Sequence, residues 1–533
     1  AIPFSTLKFK TNVEQHAWGI NFERNIRRKR EQLLWQGWSR DSELELLNRA
    51  GTLISLDSIV SKKFIEVKPY TIGGGEFTPG KDEGQLNAGG DINYLITPTL
   101  RMNLTFNTDF AQVEADRQQI NLTRFPLFFP ERREFFLEGQ DYFDMGMGNR
   151  IIPFYSRRIG LAEDRSTVPI IAGARVLGKM GNTTLGALSM QTASRDSIPS
   201  TNYTVVSWRQ DVLKQSSIGI LSANKYENGR WHSTTGGYGL YSMSELFGDK
   251  NLNIGASFTQ NINSDDFDAR ANAHRIYLSY PNDKVEFDMA WQRSATPFNP
   301  EVGFLRRENF QEFYTELEWK PRPKNHFKWI RQFSFKGLDM NYFIFDDTGE
   351  LQSFFYEIRP LGFETRSGES FEFNLQRRAE GLREPFEITE GIVIPEGEYW
   401  YNRMEIQAAT FSGRNFALDT YFNWGNFFKG KSTQSAFELS WRTSWIDLPE
   451  GSFDTDLIGN RIEYAVNPNL FGSLFSQWNS EDEEALLNFR LQWIPIIGAD
   501  FFFIVNQAYD TSGNSWTLER TTVLGKLIWR FVI

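Results

Sequence analysis

Charged and aromatic side chains are packed most densely between residues 109 and 158. Asp109, Glu114 and Asp116 come first, then Asn121, Thr123 and Arg124, then Glu131, Arg132, Arg133 and Glu138, with Arg157 and Arg158 beyond them. Phe125, Phe128, Phe129, Phe135 and Phe136 are interleaved with these charges. A loop in water has no use for so many phenyl rings, which invite aggregation when exposed together. Folded into a polar cavity, the rings can pack on one another while the charges meet the walls. Two chemistries fit this composition. One is a constriction or substrate-contact loop. The other, which we favour, is an ion-pair network that holds the segment in place, with Arg124, Arg132 and Arg133 facing Glu114, Glu131 and Glu138. Arg157 and Arg158 are expected, with those arginines, to meet carboxylates such as Asp109, Glu286 and Asp288.

Catalysis has little to build on. There is no Cys, and the four His residues, His16, His232, His274 and His326, form no cluster of zinc-ligand spacing. His232 and Ser233 are neighbours, and neighbours on a strand point to opposite faces, the wrong geometry for a nucleophile and its base. Asp265-Asp266-Phe267-Asp268 could hold calcium through hard carboxylate oxygens, but a hydrated loop explains it more simply. The chain therefore reads as no enzyme, with no metal and no cofactor. Trp35 and Trp38 are candidates for stacking on sugars, although such residues more often close a core or seat one domain on another. A net charge of −10 disfavours a nucleic-acid partner.

The elements that must position these residues show themselves as a period-two pattern. Leu100, Met102, Leu104 and Phe106 alternate with Arg101, Asn103, Thr105 and Asn107. Val285, Phe287, Met289 and Trp291 alternate with Glu286, Asp288 and Gln292. The same holds for Leu252–Phe258, Phe313–Trp319, Phe371–Leu375, Phe416–Trp424, Phe437–Trp441 and the end of the chain, where Val523, Leu527, Trp529, Phe531 and Ile533 share a face. A soluble sandwich also alternates, but a water-soluble sheet running over so long a chain would split into several domains. Here the pattern persists without a break, and its apolar faces end in Trp, Tyr or Phe, as an interfacial belt requires. Aromatics make up 15% of the chain while mean hydropathy is only −0.45. That pairing suits strands that face lipid on one side and water on the other. No apolar run is long enough for a transmembrane helix.

The expected fold is all-β: a large outer-membrane β-barrel of 22–24 antiparallel strands over residues 64–533, in the outer membrane of a Gram-negative cell. Single-chain bacterial barrels have even strand numbers, short periplasmic turns and long outer loops. The expected alternation of turn lengths falters near 151–168 and 400–455. A barrel this wide would leak if empty, so residues 111–160 are expected to fold into the lumen as a plug or constriction. The opening Ala1-Ile2-Pro3, without Met or a signal peptide, reads as a processed or partial chain.

Residues 109–139, DFAQVEADRQQINLTRFPLFFPERREFFLEG, together with Ser156–Gly160 and Phe298–Phe304, carry a family resemblance. The stretches Tyr464–Gln477 and Asn488–Trp493 fit it as well. The chain resembles a family of bacterial outer-membrane proteins in which a domain like carbohydrate-binding module family nine precedes a carboxy-terminal barrel of unknown function. Residues 1–60, with WGINFERNIRRKRE followed by Trp35 and Trp38, look like the end of such a β-sandwich module. The resemblance implies a barrel that binds or passes an extracellular ligand related to glycans, in contact with outer-membrane lipid. The rival expectation is a non-catalytic accessory subunit of an outer-membrane assembly or secretion complex, with other outer-membrane or periplasmic proteins as partners.

Overall fold

The computed structural model describes residues 15–26, 31–41, 44, 49–57, 65–108, 119–162, 167–411, 418–437, 441–496, 498–513 and 515–532. Among these residues, 24 antiparallel strands close into one barrel. Each strand pairs with its sequence neighbour, and closure comes from the last strand, Thr517–Trp529, laid against the first, Ile65–Thr78, in a register running from Thr521↔Phe77 to Ile528↔Tyr70. Closure satisfies every edge, the condition for a sheet to stand in lipid.

The faces follow the sequence pattern. Asn103 and Thr105 are buried inward, whereas Phe106 is 50% exposed on the outside. Ile220, Ile254, Phe258, Ile276, Met289, Phe313 and Leu317 also stand exposed on the outer wall. The inner wall instead carries a buried polar chain. Glu405 accepts hydrogen bonds from Asn374, Gln376 and Asn423, each at 3.0 Å, and Gln376 donates to Glu357 at 2.8 Å. An apolar exterior around an inner wall that buries hydrogen-bonded polar side chains is the inverse of a soluble barrel.

Short turns such as 98–99, 181–182, 247–249, 282–284 and 468–469 lie at one edge. The long connections 107–169, 193–200, 295–309 and 383–396 lie at the other. The first edge, which holds the start of the first barrel strand and the end of the last, is therefore periplasmic, and the second extracellular.

Both irregular regions of the sequence pattern now have causes. Ile151–Ile152 is no wall strand; it pairs with Phe304–Leu305 away from the barrel ladder. Between 397 and 467 run five wall strands; the alternating stretch Phe437–Trp441 is divided between two of them, Gly430–Phe437 and Trp441–Leu448, and is not a strand of its own, which upsets the expected order of turns.

Ahead of the barrel, Gln15–Ile20 pairs with Gly51–Asp57, and Glu23–Ile26 with Glu31–Leu34. This segment meets the periplasmic turns through Asp41. Its carboxylate accepts from Lys250 Nζ at 2.7 Å and from the Asp283 backbone N–H at 2.6 Å, and its carbonyl accepts from Asn251 at 2.9 Å.

Candidate functional site: the filled lumen and its outer cleft

Residues 119–162 lie inside the barrel. A single helical turn, Glu134–Leu137, and a 3-10 turn, Gln140–Phe143, place Phe136, Phe143, Met145, Met147, Ile151 and Ile159 in one core. The other half of that core belongs to the barrel: Leu177, Leu188, Met190, Val205 and Leu221 on the inner wall, with Phe298 and Val302 from the connection 295–309. The wall is shaped for the segment. A Cβ at Gly186 would stand 3.1 Å from the Phe143 ring, so glycine there lets the ring lie against the strand.

Glu131 and Arg133 form the polar centre, with side chains only 1% and 4% exposed. Arg133 grips the carboxylate with two prongs, Nε to Oε1 at 2.8 Å and Nη2 to Oε2 at 2.7 Å. Glu131 also accepts the backbone N–H groups of Arg132 and Arg133 and the Ser156 hydroxyl at 2.6 Å. Arg133 donates onward to the carbonyls of Ile159 at 2.6 Å and Ser156 at 2.7 Å, and its guanidinium lies 4.2 Å from the centre of the Phe136 ring. Burial alone would raise the Glu131 pKa, but the Arg133 hydrogen bonds and charge, helped by Ser156, hold it below the usual carboxylate value.

The remaining motif residues divide between self-bracing and wall contact. Asn121 braces a turn, accepting from the Thr123 hydroxyl at 2.7 Å and donating to the Phe125 carbonyl at 2.9 Å. Arg157 donates to Pro130 O at 3.1 Å, and Arg158 to Gly303 O at 3.0 Å. Arg124 reaches the far wall, where it donates to Gly381 O and Gln352 O, both at 2.8 Å, with Glu380 at 3.6 Å. Glu138 meets Arg101 and, at 2.9 Å, Arg175. Ser257 and Gln292 on the wall donate to the carbonyls of Met145 and Met147 at 2.8 and 2.7 Å.

Several expected pairings are replaced. Glu286 pairs with Lys320 at 2.5 Å, and Asp288 faces Ser279, Glu286 and Glu316 on the wall, so neither meets a segment arginine. Glu138 serves wall arginines and not Arg124, Arg132 or Arg133. Asp109, Glu114 and Asp116 lie outside the described residues.

One participant escaped the sequence reading. Arg307 is stacked between Phe125 and Phe343, 3.8 and 4.0 Å from their ring centres, and donates to the Ser353 hydroxyl at 2.5 Å. Burial lowers its pKa to about 9, which leaves it cationic at neutral pH. The available signal was the Arg306-Arg307 pair beside Phe304 in a long connection.

Toward the extracellular edge the segment leaves a cleft of about 830 Å³. Phe129, Tyr155 and Arg157 line one side, and Tyr203, Lys225 and Glu227 on the barrel line the other. Asn299, Glu301 and Phe304 come from the connection 295–309, whose Val302 carbonyl accepts the Tyr155 N–H at 2.9 Å. Lys225 bridges Glu227 at 3.3 Å and Glu301 at 3.4 Å. Phe304 meets Tyr155 edge-on at 5.6 Å.

Trp35 and Trp38 lie elsewhere. Trp35 packs edge-on to Phe22 at 5.9 Å, and Trp38 lines a second cleft at the periplasmic rim. Asp265 pairs with Arg230 at 3.2 Å and Asp268 with Arg270 at 2.9 Å, and no cluster of metal-ligating side chains occurs among the described residues.

A closed ladder of 24 strands with an apolar outer wall defines the class: this is an outer-membrane β-barrel, in the cell outer membrane. Residues 65–172, the first wall strands together with the lumen segment, match a domain of unknown function (DUF5916). The resemblance to bacterial outer-membrane barrel proteins holds at that level, and the match does not reach the amino-terminal segment. No curated protein matches the chain. Similar solved structures include the siderophore receptor PirA from Acinetobacter baumannii (9% identity, TM-score 0.44, 90% of this chain and 82% of that one). A mutant of the ferric enterobactin receptor PfeA from Pseudomonas aeruginosa, in complex with enterobactin, is 8% identical (TM-score 0.42, 90% and 83%). The FrpB iron transporter from Neisseria meningitidis is 9% identical (TM-score 0.37, 89% and 82%). At these values the likenesses say nothing about a ligand, and the class rests on the ladder and outer wall of this chain.

Proposed function

We propose that this barrel takes an extracellular ligand into the outer cleft and passes it inward past the segment 119–162, which gates the lumen. The observation that carries this reading is the joint construction of the cleft: the lumen segment, the connection 295–309 and the wall each supply a side, so a bound ligand touches the gate itself. The ligand class we infer is a glycan or glycan-bearing molecule. Phe129, Tyr155 and Phe304 offer ring faces for sugar C–H groups, and Asn299, Glu227 and Glu301 offer partners for hydroxyls.

The chain has no cysteine, so single-cysteine variants report access cleanly. Ile198→Cys, in the cleft, is expected to react with a membrane-impermeant maleimide on intact cells, and Lys284→Cys, at the opposite edge, only after lysis. Soluble oligosaccharide fractions that slow labelling of Ile198→Cys would identify the ligand class. Labelling of Lys284→Cys alone on intact cells would invert the orientation and remove the cleft as the point of uptake.

A further inference from the structure

The periplasmic rim has a second cleft, of about 1150 Å³, between the amino-terminal segment and the barrel connections. We propose that it binds the phosphate-bearing headgroup of an anionic phospholipid from the periplasmic leaflet. The carriers of this assignment are charge and position.

Among the described residues, Arg40, Lys284, Arg322, Lys324, Arg331 and Arg366 line the cleft with the carboxylates Glu23 and Asp283. Arg322 is held by Asp283 at 2.5 Å, and Arg331 by Glu364 at 2.9 Å. Among the described residues, Lys284 and Lys324 have no carboxylate within 4.0 Å, and both are exposed. Two exposed lysines of this kind, beside Arg40, favour a ligand that brings its own negative charge. Arginine forks and lysine point charges are the usual partners of phosphate oxygens.

Position decides which phosphate. Trp319 shares its rungs with Val285 and Phe335, on the outward face that also carries Phe287 and Met289. It therefore sits on the lipid side, at the periplasmic end of its strand. Phe327 and Trp329 follow in the same connection, and all three rings are more than half exposed. Exposed Trp and Phe at a strand end mark the headgroup level of a bilayer. Trp38, also exposed, faces the cleft from the amino-terminal side. The basic cleft thus opens at the depth where phospholipid phosphates lie, and basic pockets at that depth attract anionic headgroups. A zwitterionic lipid gains less, because its ammonium meets the same cations.

The test uses the full chain in phosphatidylcholine nanodiscs containing increasing phosphatidylglycerol, with retained lipid counted by native mass spectrometry. The parent is expected to retain phosphatidylglycerol over phosphatidylcholine. Lys284→Glu/Lys324→Glu should retain it at least about tenfold more weakly, since each basic residue near the surface contributes on the order of 1 kcal/mol. Arg40→Glu, on the other wall, should also weaken it. Lys81→Glu, exposed at the opposite edge, should change nothing. Heat-modifiable migration on gels checks that each variant still forms the barrel. Equal retention of the two lipids by the parent, or undiminished phosphatidylglycerol on the double variant, would overturn the assignment. So would displacement of the lipid by millimolar inorganic phosphate, which would make this a free-anion site.

Discussion

Replacing Glu131 with Ala is expected to destabilise the lumen segment by about 3–5 kcal/mol, because it takes the bidentate carboxylate from a buried cation. With the carboxylate gone, Arg133 loses its two-pronged acceptor, while the carbonyls of Ile159 and Ser156 and the face of Phe136 stay beside it. The backbone N–H groups of Arg132 and Arg133 and the Ser156 hydroxyl lose their acceptor as well. The readout is local: limited proteolysis within 119–162 should begin at a lower temperature than in the parent, while the barrel stays heat-modifiable. The double variant Glu131→Ala/Arg133→Ala should be less damaged than the sum of the singles, since neither charge is then left alone. The same pair sets a pH dependence. Glu131 has a lowered pKa in the folded state, so its contribution is complete above the unfolded value near 4.5 and is lost as pH falls through the lower folded value. Acid should expose the segment to a protease in the parent, and Glu131→Gln should remove that dependence. A parent whose segment is equally protected through that acid range would show that the pair is not what holds it.

The second large effect lies on the outer wall. Leu104→Arg or Met289→Arg should cost about 2–4 kcal/mol in a refolding titration, the range for a cation near the bilayer midplane. Phe287 is one outward position from the Val285–Trp319 rung at the rim, so its replacement by Arg should cost less. Asp288→Arg should be mild, because Asp288 faces inward beside Glu286 and Glu316. The sequence pattern alone expects equal mildness at Asn103. The structure reverses that expectation, since Asn103 is buried, accepts from Arg175 at 3.1 Å and contacts Asn93, so an arginine there would confront Arg175. Equal costs at Met289 and Asp288 would show the faces to be wrongly assigned.

These two cases show what the sequence could and could not convey. Which way Phe287 and Asp288 point follows from a period of two, a local property of the chain. What lies against an inward residue is not local, which is why Asn103 and Asp288 look alike in sequence and differ in the fold. Glu131 and Arg133 were legible as members of one ion-pair network, though not as each other's partner. Arg124 was legible as a charge needing a partner, but its partners are mainly backbone carbonyls at Gln352 and Gly381, and a carbonyl carries no residue type to read. Arg307 was hidden for a related reason: its neighbours Phe125 and Phe343 come from distant parts of the chain. The boundary between the strands Gly430–Phe437 and Trp441–Leu448 was obscured because Phe437 and Trp441 keep the period of two across it.

The gate is tested most directly by conductance in planar bilayers. Phe106 pairs with Ala172 in the wall ladder, so residues 120–160 can be replaced by a short Gly-Ser linker without spanning any distance. A companion variant, Arg124→Ala/Arg158→Ala, loosens the contacts with Gly381, Gln352 and Gly303 and leaves the Glu131–Arg133 centre intact. The account predicts small or rare openings for the parent, large steady steps for the linker variant, and more frequent openings for the companion. A linker variant that is heat-modifiable and conducts no better than the parent, with a companion equally silent, would contradict the gate and leave a sealed accessory subunit as the reading.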